Sequence, residues 1–271
     1  MLRFPNAKIN IGLFITGKRD DGYHNLETVF YPVPVKDALE LVEQEAETTN
    51  IHISGLEVAG NTDTNLVWKA CQLLQKDFPA QVKPLPVFLH KVIPMGAGMG
   101  GGSSDGAFML CMLNDHFRLN LNTAQLEQYA LQLGSDCPFF IRNQPAFASG
   151  RGELLEPLSL DLSAYTLQVV CPAIHVSTAT AFKGVHPLPA PFNLKELPQL
   201  PLSDWKRYIR NDFESSVFQA QPALQEFKEA LYAQGALYAS MSGSGSAIYG
   251  LFAKGEQAVL STIVPFREFI F

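Results

Sequence analysis

A glycine-rich segment constrains this chain more than any other feature of its sequence. Residues 94–104 read Pro-Met-Gly-Ala-Gly-Met-Gly-Gly-Gly-Ser-Ser, with five glycines among residues 96–102. An apolar run typical of a strand, residues 85–93, precedes the segment, and residues 105–114 after it are predicted as a buried helix capped by Ser103 or Ser104. Glycines at the start of a helix, where N–H groups lack partners and the helix dipole is positive, predict a loop that binds phosphate.

Known phosphate-loop patterns fit this segment unequally. The Walker A motif requires a lysine at the position of Gly102 and is therefore excluded. Gly96, Gly98 and Gly101 satisfy the dinucleotide pattern GxGxxG, but residues 120–123, about twenty positions on, include no acidic residue. Protein kinases share the glycine pattern, yet this sequence lacks their HRD and DFG motifs. A glycine hinge that packs a helix on a sheet stays open as a purely structural alternative.

Composition and charge exclude several classes of function. The chain has 271 residues, 47% of them hydrophobic, which predicts a folded protein of one large domain or two smaller ones. Its formal net charge is −6, so no overall positive field would attract nucleic acid or an anionic membrane. Polar residues and Pro172 interrupt residues 162–182, which predict a buried strand and a turn rather than a membrane span. With no signal-peptide pattern at its start, the protein is expected to be cytoplasmic.

The periodicity of the chain predicts an α+β architecture. Apolar runs at residues 7–14, 28–35, 38–42 and 51–53 indicate strands in the first part of the chain. Helical spacing follows at residues 65–78, and Asn122 with Gln125 resembles a capping pair at the start of a helix that Gly134 would end. Residues 135–138 are predicted as a loop. Strands and helices therefore mix without strict alternation.

The second part of the chain predicts a boundary, an irregular stretch and a structured turn. Residues 148–157 are polar and contain glycine, which places the domain boundary near residue 150, between domains 1–150 and 151–271. The proline-rich residues 187–201 are expected to be irregular and to lie on the surface. A helix is predicted at residues 222–235, and strands at 236–241 and 247–252 flank Ser-Gly-Ser-Gly-Ser, residues 242–246. A tight, structured turn is favoured there over a flexible linker.

The glycine segment resembles the PxGxGxGSS signature of the GHMP superfamily of small-molecule kinases. Further motifs resemble the 4-diphosphocytidyl-2-C-methyl-D-erythritol kinases of that superfamily: Pro-Asn-Ala-Lys-Ile-Asn-Ile at 5–11, Asp-Gly-Tyr-His at 21–24 and Leu-Gly-Ser-Asp-Cys-Pro-Phe-Phe at 133–140. The resemblance spans nearly the whole chain. It implies a two-domain GHMP-kinase-like fold with the active-site cleft between the domains. It also implies ATP-dependent phosphorylation of the 2-hydroxyl of 4-diphosphocytidyl-2-C-methyl-D-erythritol in the non-mevalonate route to isoprenoid precursors.

Lys8 and Asp136 are the candidate catalytic residues. Lys8 lies among apolar neighbours in a predicted strand, where an unpaired charge would be costly, so we expect an acidic partner or a side chain that reaches solvent. Asp136 is the candidate partner, and the resemblance implies that it is the general base for the substrate hydroxyl. Such a carboxylate helps because an alcohol is a poor nucleophile. Two alternatives without a catalytic role stay open: Asp136 as a residue that caps a turn, and Lys8 as an ordinary surface lysine.

The resemblance also implies the binding residues. Those for ATP are Pro94, Met95, Gly96, Ala97, Gly98, Met99, Gly100, Gly101, Gly102, Ser103 and Ser104, with Asn65 and Lys91 at the adenine. Those for the small-molecule substrate, a cytidine diphosphate linked to methylerythritol, are Asn10, Tyr23, His24, Thr178 and Phe182. On the residues alone, several alternatives stay open: Tyr23 and His24 in an exposed turn, Phe182 in a core, Asn65 as a helix cap and Lys91 exposed on a strand.

Metal binding is expected to come with the nucleotide. The histidines show no HExxH pattern, and the four cysteines are 40, 26 and 34 residues apart, which predicts reduced thiols without a zinc site. Mg2+ is expected to arrive with ATP, and Ser104 is a candidate contact, but its ligands are unknown from the sequence. An acidic Asp105 beside bound phosphates would be tolerated only if it points away or meets the metal. We expect a monomer or a weak homodimer.

Three other functions remain compatible with parts of the pattern. One is another small-molecule kinase of the same superfamily, and a second is a nucleotide-binding protein without catalysis. The third is a dinucleotide-dependent oxidoreductase, which the missing acidic residue disfavours.

Overall fold

The structure of the protein, a computed structural model, describes residues 1–44, 46–57, 62–261 and 264–271. Its mixture of strands and helices confirms the predicted α+β class. The strands are β1 (Leu2–Arg3), β2 (Asn6–Lys18), β3 (His24–Lys36), β4 (Ala38–Leu41), β5 (Asn50–Gly55), β6 (Pro86–Lys91), β7 (Ala146–Ser149), β8 (Leu154–Pro157), β9 (Tyr165–Pro172), β10 (Tyr238–Met241), β11 (Ile248–Ala253) and β12 (Phe266–Ile270). The helices are α1 (Leu66–Asp77), α2 (Gly101–Phe117), α3 (Thr123–Leu133), α4 (Cys137–Arg142), α5 (Thr178–Lys183), α6 (Leu202–Tyr208), α7 (Glu214–Ala220) and α8 (Pro222–Ala233).

The chain forms two compact units, each assembled from several segments. The first unit consists of Met1–Lys8, Pro32–Met95 and Gly100–Gln144, and the second of Ile9–Tyr31, Gly96–Met99 and Pro145–Phe271. The chain therefore passes from one unit to the other five times, because β2, β3 and the glycine-rich segment each contribute to both. A division into domains 1–150 and 151–271 assumes a single passage, and that boundary stays a prediction.

Among the residues that the structure describes, a mixed sheet and the α-helices α1 to α4 build the first unit. The sheet has the order β1-β4-β6-β5, in which β6 is antiparallel to β4 and parallel to β5. Leu39, Leu41, Val87 and Leu89 alternate with exposed residues and are buried, as expected for strands with one face in the core. Helix α2 packs against α1, α3 and α4. It is apolar nearly all round, which is typical of a buried helix.

The sequence signals at α1 and α3 correspond to real caps. The Val67 N–H donates to Asn65 Oδ1 at 2.8 Å at the start of α1. At α3, the Gln125 N–H donates to Asn122 Oδ1 at 3.0 Å, and the Asn122 N–H donates to Gln125 Oε1 at 2.9 Å. Gly134 is the C-cap of α3. Because these caps satisfy backbone groups within a few residues, local sequence was sufficient to predict them.

Two predictions in the first unit are wrong at helix starts. Helix α2 begins at Gly101 after Gly100 in the left-handed conformation, so Ser103 and Ser104 lie inside its first turn and do not cap it. Gly101 and Gly106 lie in the helix where a Cβ would come within 2.8 Å of Ile93 and 2.9 Å of Leu66, so close packing outweighs the weak helix propensity of glycine. The predicted loop 135–138 is also too long, since α4 begins at Cys137 with Pro138 in its first turn, where proline is favourable.

The second unit contains a sheet of order β10-β11-β9-β12 covered by helices. Its core joins α7 and α8 to the sheet, with Val217, Leu224, Phe227, Ile248 and Phe252 all buried. Strands β10 and β11 pair antiparallel and flank residues 242–246, which confirms two strands around that segment. A third sheet of the chain has the order β2-β3-β7-β8.

Residues 148–157, around the expected domain junction, include the end of β7 and all of β8, which pair with each other, and β7 also pairs with β3. Two interpretations of the second part of the chain need correction. The proline-rich stretch includes a 3-10 helix, Leu194–Gln199, whose Leu194 and Leu197 are buried, because burial of these two leucines favours an ordered turn. Within residues 162–182, β9 is followed by helix α5 instead of only a turn.

Among the described residues, none of the helices combines the length and the apolar character needed to cross a lipid bilayer.

We predict that Asn122→Ala lowers the free energy of unfolding by about 1 kcal/mol, because it removes the acceptor at the N-cap of α3. Urea unfolding of the purified protein measures this change. Gln128→Ala, an exposed substitution in the middle of the same helix, serves as the control. Equal stability of the Asn122→Ala variant and the wild type would contradict the contribution of the cap.

Candidate active site

The site in the first unit begins with an ion pair between Lys8 and Asp136. Lys8 Nζ lies 3.3 Å from Asp136 Oδ2, with 4% of the lysine side chain and 33% of the aspartate side chain exposed. Asp136 is the residue before α4, but its carboxylate makes no capping hydrogen bond to the helix. The carboxylate is thus beside a buried ammonium group and still reaches solvent, where a substrate hydroxyl can approach it.

The start of α2 lies next to this pair. Gly100 has φ +69°, and a Cβ there would lie 3.2 Å from Lys8 Cε and 2.9 Å from Phe140 Cζ. No side chain caps α2. The N–H groups of its first turn and the positive end of its dipole are therefore suited to an anion, beside the Lys8–Asp136 pair.

The two serines after the glycines occupy the first turn of α2. The Ser104 side chain is fully buried, and its Oγ has no hydrogen-bond partner among the described residues. Ser103 hydrogen-bonds the thiol of Cys137, the neighbour of Asp136. Burial nevertheless raises the pKa of that thiol to about 12, so Cys137 is a packed side chain rather than a nucleophile.

The other part of the glycine segment, Gly96–Met99, belongs to the second unit and is bonded to the turn at residues 242–246. Ser242 Oγ donates to the Gly98 carbonyl at 2.8 Å and accepts the Asn10 N–H at 3.1 Å. The Ala247 N–H donates to the Ala97 carbonyl at 3.1 Å. Asn211 Nδ2 donates to the carbonyls of Met241 and Gly243, both at 2.8 Å. The Ser-Gly-Ser-Gly-Ser segment is therefore a structured turn, as predicted.

Packing requires glycine at several positions of the segment. A Cβ on Gly98, which has φ +73°, would lie 1.9 Å from the Ser242 carbonyl oxygen. A Cβ on Gly101 would lie 2.8 Å from Ile93 Cγ2. At Gly102 the nearest atom is Met95 Cε at 3.6 Å, which is ordinary contact. Sequence reasoning attributed the glycines to close approach of phosphate, and the structure adds the close approach of other parts of the chain.

The predicted substrate residues form contacts within the second unit. The rings of His24 and Phe182 stack, with centroids 4.8 Å apart and an angle of 20°. Phe182 also meets the edge of Phe213. Tyr23 is 57% exposed, and the Arg151 guanidinium lies 5.1 Å from its ring centroid. The structure thus joins two residues that lie 158 positions apart in the sequence.

Asn10 and Thr178 also lie in the second unit. Asn10 is buried, its Nδ2 donates to Thr28 Oγ1 at 3.1 Å, and its carbonyl accepts the Tyr249 hydroxyl at 2.9 Å. Exposed Thr178 begins α5, with its Oγ1 3.2 Å from Ser244 Oγ. Their contacts to a substrate stay predictions.

Lys91 is not exposed on its strand but fully buried. Its Nζ lies 2.7 Å from Asp105 Oδ2 and also pairs with Asp37 Oδ2. Burial, opposed by the Lys91 charge, raises the pKa of Asp105 to about 8. The sequence held a signal for this placement, because Lys91 continues the alternation of buried Val87 and Leu89 in β6. The sequence held no such signal for Asp37, which resembles an ordinary turn residue between two strands.

One side chain at the start of α2 is a candidate metal ligand. In the part of the chain that the structure describes, no three His, Cys, Asp or Glu side chains form a group that could hold a metal ion. The buried, unpaired Ser104 hydroxyl at the start of α2 is a suitable oxygen for a hard cation that accompanies a phosphate.

Comparison with protein families defines the class. Residues 65–151 match the GHMP kinases N terminal domain, and residues 194–261 match the GHMP kinases C terminal model. The fold is that of a GHMP kinase. This result confirms the superfamily that the glycine segment predicted.

Individual relatives narrow the class. The chain is 54% identical over 254 residues to the 4-diphosphocytidyl-2-C-methyl-D-erythritol kinase of Bacteroides thetaiotaomicron, covering 93% of this chain and 92% of the relative. The corresponding kinase of Parabacteroides distasonis is 49% identical, with 94% and 92% covered. The crystal structure of a 4-(cytidine 5'-diphospho)-2C-methyl-D-erythritol kinase superposes with a TM-score of 0.77 at 32% identity, over 93% of this chain and 90% of that one. The chain belongs to the family of the 4-diphosphocytidyl-2-C-methyl-D-erythritol kinases.

A more distant structure shares the fold alone. A mevalonate kinase superposes with a TM-score of 0.68 at 10% identity, covering 100% of this chain and 98% of that one.

We predict opposite effects of alanine at two glycines of the segment. Gly98→Ala should lower the free energy of unfolding by about 1–3 kcal/mol, because the added Cβ collides with the Ser242 carbonyl at positive φ. Gly102→Ala should leave stability equal or higher, since alanine favours the helix, and should act only on nucleotide affinity. Thermal unfolding and MgATP titration of both variants measure the difference. Equal stability of the two variants would contradict the packing explanation.

Proposed function

We propose that the protein transfers the γ-phosphoryl group of ATP to the 2-hydroxyl of 4-diphosphocytidyl-2-C-methyl-D-erythritol, in the non-mevalonate route to isoprenoid precursors. The observation that carries the proposal is the Lys8–Asp136 pair, 3.3 Å apart, beside the uncapped start of α2. The family to which the chain belongs supplies the identity of the substrate.

Asp136 acts as the general base in this proposal. Its carboxylate accepts the proton of the substrate hydroxyl as the oxygen bonds to phosphorus, which contributes about 10²- to 10⁴-fold. Lys8 stabilises the negative charge of the carboxylate and that of the transferring phosphoryl group. The first turn of α2 holds the phosphates through its N–H groups, so that hydroxyl and γ-phosphate are positioned for in-line transfer.

Mg2+ is proposed to bind with the nucleotide. Ser104 is the residue that would hold it, because its buried hydroxyl lacks a partner among the described residues. When bound, the ion neutralises charge on the phosphate oxygens.

The cytidine end of the substrate is assigned to Tyr23, His24 and Phe182 in the second unit. The 4.8 Å His24–Phe182 stack leaves no gap for a base between the rings, so the base would stack on an outer face of the pair. Asn10 and Thr178 are assigned to the polar part of the substrate, and Asn65 to the adenine.

Three properties remain predictions alongside this function: a cytoplasmic location, a monomer or weak homodimer, and no binding of nucleic acid.

The test is release of ADP from MgATP by the purified protein with the diphosphocytidyl substrate. Homoserine, galactose and mevalonate are supplied in parallel reactions. Turnover with the cytidine compound alone supports the proposal. Turnover with another alcohol would keep the kinase chemistry but reject Tyr23, His24 and Phe182 as the specificity residues. No turnover in any reaction, with ATP still bound, would favour a binding protein.

We predict that Asp136→Asn lowers kcat by about 10²- to 10⁴-fold, because the amide cannot accept the proton. Affinity for MgATP should stay within about twofold, since the change affects the nucleophile. Steady-state kinetics and calorimetric titration measure the two quantities. Glu226→Gln, the same change from carboxylate to amide at an exposed position of α8, is the control and should keep wild-type kcat. A near-normal kcat for Asp136→Asn would reject the general base.

A further inference from the structure

A buried ion cluster lies at both ends of the glycine-rich segment. It consists of Asp37, Lys91 and Asp105, whose side chains are between 0% and 4% exposed. Lys91 Nζ contacts Oδ2 of each aspartate, at 2.7 Å in the case of Asp105. The catalytic roles proposed above use none of these three carboxylate and ammonium groups.

Where the glycine-rich segment begins, the cluster holds the backbone just after β6. Asp37 Oδ1 accepts the N–H groups of Val92 and Ile93, at 2.5 and 2.9 Å. These two residues immediately precede Pro94, the first residue of the glycine-rich segment. One carboxylate therefore fixes the backbone from which the segment departs.

Where the glycine-rich segment ends, the cluster holds helix α2. Asp105 lies in its second turn, four residues after Gly101, and is anchored through Lys91. A Cβ on Gly101 would lie 3.4 Å from Lys91 Nζ, so the ammonium is directly below the first residue of the helix. The cluster thus ties the anion-binding start of α2 to the end of β6.

Energetics favour a positional role over a contribution to stability. Two carboxyl groups and one ammonium must all be desolvated, and well-packed apolar side chains are often as stabilising in such a place. Buried ionic groups, however, allow few arrangements, because each displaced partner leaves an uncompensated charge. The Lys91 side chain has both partners inside the protein and no exposed surface, so its ammonium group acts through the cluster.

We propose that Asp37, Lys91 and Asp105 are positioning residues that hold the first turn of α2 in the geometry that binds the phosphates of ATP. The inference rests on the proposed function only in taking that anion to be the nucleotide triphosphate.

The experiment compares Asp105→Ala with Asp105→Asn and with Leu74→Ala, a core truncation in α1 at a fully buried position. For each folded variant we measure the melting temperature, the Kd of MgATP by calorimetry, and KM for ATP and for the alcohol substrate. Asp105→Ala should raise the Kd and KM for the nucleotide about tenfold, with KM for the alcohol unchanged. Asp105→Asn should restore most of the affinity, because the amide oxygen still accepts from Lys91.

The Leu74→Ala variant distinguishes an effect on the position of α2 from a general loss of stability. It should lower the melting temperature at least as much as Asp105→Ala while leaving the Kd of MgATP unchanged. The proposal is overturned if Asp105→Ala binds MgATP like the wild type, or if Leu74→Ala weakens binding equally. Should Asp105→Ala not fold, the double variant Lys91→Met, Asp105→Leu replaces the ammonium and one of the two buried carboxyl groups by apolar side chains. Weakened MgATP binding by the folded double variant supports the proposal, and wild-type affinity overturns it.

The calorimetric readout distinguishes this proposal from the proposed function. If the wild type binds MgATP but phosphorylates no alcohol, the function fails while the effect of Asp105 on nucleotide affinity can still be measured.

Discussion

Close backbone packing at the glycine-rich segment is the constraint on which the rest of this structure depends. Gly98 leaves room for the Ser242 carbonyl, Gly100 for Lys8 and Phe140, and Gly101 for Ile93. A methyl group added at any of these three glycines would displace the neighbouring atoms and break the contact. The same absence of side chains exposes the first N–H groups of α2, so one property of the sequence serves both packing and anion binding.

Features that depend on residues close together in the sequence could be predicted, and features that depend on contacts between distant residues could not. The capping pair of α3 lies within three residues and was predicted correctly, as were the strands around residues 242–246. The cap of α1 is one of the alternatives that the sequence left open for Asn65. The start of α2 was not, because glycine has no strong preference of its own and packing on Ile93 decides it. The 3-10 helix at Leu194–Gln199 was missed for the same reason, since its two leucines are ordered by a core that the local sequence does not reveal.

The candidate site shows the same division. A lysine among apolar residues demands a partner, and that demand together with the motif indicated Asp136 for Lys8. Lys91 has the same need for a partner, which the alternation of buried residues in β6 indicates. Asp37 could not have been found, because nothing near it in sequence distinguishes a buried ion-pair partner from a turn residue. The stack of His24 on Phe182 required the fold.

The interleaving of the two compact units also has a consequence for biosynthesis. Ile9–Tyr31 leaves the ribosome long before Pro145–Phe271, which completes its unit. Leu13 and Ile15 share a core with Val170, Phe213 and Ile248 in the finished protein. More than a hundred residues are translated between Ile15 and the first of these partners. A nascent chain therefore cannot complete the native core around Leu13 and Ile15 until Ile248 in β11 has been translated.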